Sequence, residues 1–374
     1  MSQYLQRLSN NFRDVVGNFI TLSGSRGNVS LNAAYVHQTS GPAVAVRFLA
    51  QSATTVDEFY MMMDTKTGTL GNITMEAKIY NENTSFPDRP GSTLRATSTA
   101  CTMPSGDDMW IKFTFGTPYT AAIGEVLWIV IYNTSSAPAT DYPQILTATN
   151  ARIGVYNNDI EIMTCYSTAN GFSTNGSIKI QAPFVIKQNT IYFGQPFTLG
   201  TSSGSSSLER GFEFTPTVDI TVCGFLIMTQ TTAYNAVRLL ASNTAPGGTA
   251  LYTWDLDSDA SQTIGDLLGA KLFTPITLTG GTTYKLTMTY SSTTTAPGYL
   301  QIEDYSSYSS MFDSLVDNDK INICVFCVDD GAGGWTKTKD KRCYGMALIL
   351  QDYVLSASGG GNSVIGSGII VPGY

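Results

Sequence analysis

The sequence is poor in charge, in histidine and in long apolar runs, and each shortage removes a class of function. Only 13% of its 374 residues are charged, about half the usual quarter. The formal net charge is −8, and no basic stripe interrupts that balance. A protein that grips nucleic acid through phosphates is therefore not expected. The acidic excess favours solubility and says nothing about fold. There is one histidine, His37, whereas general-base catalysis most often uses that residue. No Walker loop and no H-E-x-x-H pattern occurs. The longest apolar run is "VLWIVIY" at 126–132, far below the roughly 20 residues that cross a bilayer. The first twenty residues carry Arg7, Arg13 and Asp14 where a secretory signal has an apolar core. The expectation is a cytoplasmic chain, or one that leaves inside a particle released by lysis. Six scattered cysteines (101, 165, 223, 324, 327 and 343) are too sparse for a disulfide scaffold and read as buried free thiols.

What is abundant is small and uncharged polarity, with 35 glycines and many Ser, Thr and Asn. Against that background the chain repeats itself. Tyr142-Pro-Gln-Ile145 and Tyr299-Leu-Gln-Ile302 stand 157 positions apart. Upstream of them, Pro118 and Gly124 match Pro275 and Gly281 at the same offset, and Pro90-Gly91 matches Pro246-Gly247. Further upstream "TVDEFYMMM" faces "TVDITVCGFLIM"; downstream "TCYSTANGFST" faces "FCVDDGAGGWT". Kept order with drifting offsets is the mark of a tandem duplication with loop insertions. The expected layout is an N-terminal piece at 1–20, one copy at 21–187, a second at 188–353 and a tail at 354–374.

Each copy reads as all-β. "WIKFTFGTP" sets Trp110, Lys112 and Thr114 on one face and Ile111, Phe113 and Phe115 on the other. "TYKLTMTY" alternates Tyr284, Leu286, Met288 and Tyr290 with Thr and Lys. Period two with one apolar face is the half-buried antiparallel strand. "DRPGS", "TAPGG" and "LTGGTT" supply turns between the strands. The order of strand, Pro-Gly loop, strand, Pro-x5-Gly, aromatic strand and Tyr-x-Gln-Ile resembles the jelly-roll β-sandwich modules of tailed-phage virion proteins and bacterial surface proteins. Carbohydrate-binding modules are related to them. That resemblance implies two tandem antiparallel β-sandwiches with a structural or adhesive role.

Two pieces lie outside the repeat. Over 4–20, apolar residues including Leu5, Leu8, Phe12 and Val16 fall at helical spacing and predict a short amphipathic helix, packed on its own domain or anchored in a neighbour. The Gly-rich C-terminal tail ends in an apolar plug with Ile369, Ile370 and Val371, suited to adding a strand to a partner's sheet edge.

Sites of chemistry are few. Asp255, Asp257, Asp259 and Asp266 hold positions one, three, five and twelve of a calcium-loop spacing, yet Ala260 replaces the turn glycine and Asp266 is shorter than the usual Glu. An acidic hairpin is the plainer reading. Paired acids at Asp107–Asp108, Glu303–Asp304 and Asp329–Asp330 are glycosidase candidates only if a cleft brings two together. Cys324 and Cys327 have the spacing of a metal pair but sit in a strand pattern. Tyr305 and Tyr308, in a Ser-rich stretch, are candidates for contact with a glycan or a protein neighbour.

The expected function is a non-enzymatic component of a bacteriophage virion: a capsid decoration, a head or tail fibre, or a connector. It would be assembled in the host cytoplasm and act through contacts with major capsid, portal or tail proteins and with copies of itself. No cofactor, nucleic acid or membrane is expected. The alternative is a carbohydrate-binding adhesin or host-receptor-binding module that recognises a surface glycan.

Overall fold

A computed structural model describes residues 15–17, 25–31, 42–50, 55–85, 89–149, 160–168, 171–173, 182–188, 191–195, 198–200, 209–229, 234–256, 267–290, 299–301, 304–311, 321–338, 342–343 and 346–350. Most of them are in strands, numbered β1 to β26 in chain order, and every pairing whose register is described is antiparallel. The all-β expectation holds. The described part of the chain forms two compact units. One takes residues between 24 and 198; the other takes those from 199 onward together with Val15–Gly17.

In the first unit, one sheet runs β14 (Ile191–Gln195), β13 (Phe184–Gln188), β4 (Thr55–Thr67), β10 (Tyr142–Thr149) and β2 (Ser25–Ser30). β8 (Met109–Thr120) also pairs with β4, and β7 (Ala100–Thr102) with β8. The other sheet runs β12 (Gly171–Ser173), β11 (Ile160–Thr168), β3 (Pro42–Leu49), β9 (Val126–Asn133), β5 (Met75–Glu82) and β6 (Pro90–Thr97). The two share one apolar core: Val44, Val46, Ile129 and Ile131 from one, Phe59, Met61, Ile111, Phe113 and Phe184 from the other. Phe59 and Phe113 stack at 5.9 Å, a geometry that adds to area burial. As the alternation predicts, Ile111, Phe113 and Phe115 point into that core.

The second unit repeats the order of the six-stranded sheet and of four strands of the other sheet. Its six-stranded sheet runs β19 (Tyr252–Asp255), β18 (Tyr234–Ala241), β21 (Tyr284–Tyr290), β16 (Glu209–Pro216), β23 (Ile321–Asp329) and β24 (Trp335–Thr338). Read in chain order, these fall where β6, β5, β9, β3, β11 and β12 fall in the first unit. A four-stranded sheet runs β1 (Val15–Gly17), β26 (Met346–Leu350), β17 (Ile220–Thr229) and β20 (Leu267–Leu278), as β14, β13, β4 and β8 do. A small sheet joins β15 (Thr198–Gly200), β22 (Tyr299–Gln301) and β25 (Arg342–Cys343). The two Tyr-x-Gln stretches begin β10 and β22, which hold equivalent places beside β2 and β15.

The helix expected over 4–20 is corrected where the structure describes it. Val15–Gly17 is a strand, with Val16 opposite Leu348. Two β-branched residues followed by glycine are weak helix formers, and the edge of β26 offers a hydrogen-bonding ladder that an isolated short helix lacks. Leu5, Leu8 and Phe12 lie outside the described residues.

Candidate functional site

The densest polar constellation among the described residues lies on one face of the second unit's six-stranded sheet. β16 reads "ERGFEFTP". Its period-two alternation sends Phe212 and Phe214, both fully buried, to one side and sets Glu209, Gly211 and Glu213 on the other. Opposite that second set stand Thr287 and Lys285 of β21, and next to Thr287 stands Arg238 of β18. All of these side chains are buried: Glu209 is 2% exposed and Lys285 and Thr287 are 0%.

Burying charge is costly unless it is paired and hydrogen-bonded, and Glu209 is both. Arg238 Nη1 donates to both Glu209 oxygens, at 2.8 and 2.7 Å. Thr287 Oγ1 donates to Glu209 Oε1 at 2.6 Å. The backbone N–H of Gly247 donates to Oε2 at 2.8 Å. Glu213 is held by Lys285 at 3.3 Å and Lys337 at 2.7 Å. Arg238 also donates to the Gly248 carbonyl and Lys285 to the Ser242 carbonyl. The Trp335 indole N–H donates to Thr244 O at 2.8 Å, with the Lys285 ammonium 5.6 Å from its ring centroid. The segment 242–248 is thereby fastened across the sheet face. Its turn needs Gly247, whose φ is +71°, the left-handed region that glycine occupies without penalty.

Chemically this is a clamp. Glu209 accepts four hydrogen bonds from three donors, Arg238 Nη1, Thr287 Oγ1 and the Gly247 N–H. Cys327, fully buried on β23, has its pKa pushed up by burial and then by the negative charge of Glu213. It stays a thiol, and the thiolate is the reactive form.

A smaller charged group lies in the first unit. Glu58 of β4 pairs with Lys112 of β8 at 2.7 Å and Lys187 of β13 at 3.7 Å, and accepts a hydrogen bond from the Tyr60 hydroxyl. Burial acts to raise its pKa. The hydrogen bonds from Lys112 and Tyr60 and the two ammonium charges outweigh that and hold the carboxyl below its ordinary value.

The residues singled out from the sequence are dispersed. Asp255 ends β19 and is exposed; Asp257, Asp259 and Asp266 lie outside the described residues. No group of three potential metal ligands forms among the described residues. Tyr305 opens a 3-10 turn, Tyr305–Ser307, and Tyr308, partly buried, follows it. His37, Glu303, Ile369, Ile370 and Val371 fall outside the described residues. Asp107 meets Lys66 at 3.6 Å. Asp329 and Asp330 fold their carboxylates onto the N–H groups of their own turn: Gly331 for the first, Ala332 and Gly334 for the second. These turn bonds hold the Asp330 carboxyl below its usual range. Cys324 falls at a bulge between residues paired to Glu213 and Phe214.

The sequence reading missed the Glu209–Arg238–Lys285 group. Alternation marks Lys285 and Thr287 as polar and so as solvent-facing. Only "ERGFE", two acids four apart in an apolar strand, hints otherwise. It also passed over Gly200-Thr-Ser-Ser-Gly204, which has the spacing of a nucleophile elbow. Of that stretch only Gly200, the last residue of β15, is among the described residues.

No protein-family model, no curated protein and no solved structure matches this chain.

Proposed function

We propose that the chain is a non-enzymatic structural component of a tailed-phage virion, built as two tandem jelly-roll-like β-sandwiches that work by protein–protein contact. One observation carries this reading: the six-stranded sheet is written twice, with the same strand order in both units. Repeating a rigid body multiplies weak contacts without new chemistry. The way charge is used supports it too. Glu209, Glu213 and Glu58 are bound to Arg or Lys within their own sheets, which stiffens a scaffold. Under this reading the partners are capsid, portal or tail proteins and further copies of the chain, met during assembly in the host cytoplasm.

The test is to purify phage particles from lysates on density gradients and probe them for this chain by peptide mass spectrometry and immunogold labelling. The chain is expected in the particle band at a fixed position. A chain absent from particles overturns the proposal. A free chain that instead binds host glycans, with binding lost in Tyr308→Ala, establishes the adhesin in its place.

A further inference from the structure

The two edge strands β1 and β14 have exchanged owners. In chain order β1 precedes β2 and β14 precedes β15, and β2 and β15 hold equivalent places beside β10 and β22. β1 and β14 are thus the first strands of the two copies, while β13 and β26 are the last. A self-contained copy would seat its own first strand on its own last. The structure does otherwise: β14 pairs with β13, and β1 pairs with β26.

The first of these junctions has a local cause. Gln188 faces Ile191 across the two residues 189–190, so β13 and β14 form a tight hairpin, the shortest way to cover an edge. The second has none. β26 is the last described strand, and β1 lies more than 300 residues before it. Its edge still needs a partner. Met346, Leu348, Ile349 and Leu350 are all buried, so side chains on both faces of β26 are out of water. A row of free N–H and C=O groups beside them would be a strong template for another strand. The partner that fills it is β1, from the opposite end of the chain and with no short connection to β26.

We infer that β1 is an exchangeable donor, and that β26 of one chain also accepts β1 of another. The junction between chains then reproduces the β13–β14 junction within a chain. Val15, Val16 and Gly17 would face Ile349, Leu348 and Ala347 as they do here. The backbone ladder is the same whether the donor comes from its own chain or a neighbour. Only the local concentration of donor strands decides between them. A terminal strand that lends its edge contacts elsewhere is the elementary step of domain swapping, and a head-to-tail contact of this kind builds rings or open filaments. The inference rests on the strand pairing alone and stands whether or not the protein belongs to a virion.

The experiment co-expresses two full-length chains with different affinity tags, one carrying Val16→Cys and the other Leu348→Cys. No single chain can then close the new disulfide on itself. Mild oxidation should yield a species of twice the chain mass that carries both tags, disappears on reduction, and does not form when either variant is paired with wild type. A chain carrying both substitutions should give closed monomer and a ladder of multimers, with the ladder growing as expression rises. Failure of the mixed pair to link, while the double variant closes entirely within itself, overturns the proposal. Failure of both overturns it as well, because β1 would then not lie on β26. Should Leu348→Cys impair folding, Val15→Cys with Ile349→Cys tests the same ladder on its opposite face.

Discussion

The two six-stranded sheets share one strand order, yet their equivalent outer faces are built from opposite chemistry. In the first unit, Trp128 and Val130 of β9 lie opposite Arg47 and Ala45 of β3, with Tyr80 and Lys78 of β5 on the far side. In the second, Lys285 and Thr287 of β21 lie opposite Glu213 and Gly211 of β16, with Leu240 and Arg238 of β18 beyond. The first face is closed by an apolar cluster of Ala43, Ala45, Tyr80, Trp128, Val130 and Tyr132. The second is closed by the charge clamp under segment 242–248. Both are buried. Where the first unit has Lys78, paired with Glu76 at 2.9 Å and 5.3 Å from the Tyr132 ring, the second has Arg238, paired with Glu209. The lesson is that the strand ladders and the inner apolar faces specify this framework. The outer face is free to vary, provided that whatever it buries is satisfied.

The largest effect should come from emptying the apolar face. Trp128→Ala is expected to lower the unfolding free energy by about 4 kcal/mol in denaturant titrations, the usual range for deleting a large buried aromatic. Trp128→Phe should cost far less, because the Trp128 indole N–H meets no acceptor among the described residues.

Next comes the clamp. Glu209→Ala strips Arg238 of its counter-ion in a buried site, at a cost of about 3 kcal/mol. Replacing both partners, Glu209→Leu with Arg238→Met, should recover most of that loss, since an apolar pair of similar volume removes the unpaired charge. If the double variant is no more stable than the single one, the charges do more than pair with each other, and the comparison with the apolar face fails.

A third substitution probes how closely the strands approach. A Cβ on Gly211 would sit 1.9 Å from the Leu286 carbonyl oxygen and 2.7 Å from the Thr287 Cα. Gly211→Ala should therefore cost about 2 kcal/mol as backbone is forced apart. At the equivalent place the first unit already carries Ala45, so the reverse change, Ala45→Gly, should lose only the small terms of backbone entropy and a methyl contact. Thermal melts of the two variants side by side decide this.

The smallest effect is on acid stability. The folded Glu58 carboxyl has a lowered pKa, so its contribution is present above the unfolded value of about 4.3 and is lost as pH falls through the folded value. The gap in unfolding free energy between wild type and Glu58→Gln should be widest at neutral pH and close progressively below the ordinary glutamate range. A gap that does not depend on pH would mean that the ionised form is not the one favoured by Lys112 and Tyr60.

Much of the framework was legible in the residues. The alternation in "WIKFTFGTP" assigned Ile111, Phe113 and Phe115 to the core, because a strand's side chains must alternate and apolar ones must leave water. The Tyr-x-Gln echo marked the start of two strands that hold equivalent places. The site was far less legible. Polar residues in a period-two strand read as wet, and nothing local says that residues 242–248 and Trp335 will close over Lys285 and Thr287.

The sequence by itself determined the all-β class, through side-chain periodicity and turn chemistry, both of which are local. Two matters were left to the tertiary structure: whether an outer face is dry or wet, and which strand completes an edge. Burial depends on segments far away in the chain. Val15–Gly17 became a strand because β26, more than 300 residues later, offered unpaired backbone groups to satisfy. Hydrogen-bond demand at a sheet edge is a property of the folded neighbour, and the helical spacing of the donor's own residues does not record it.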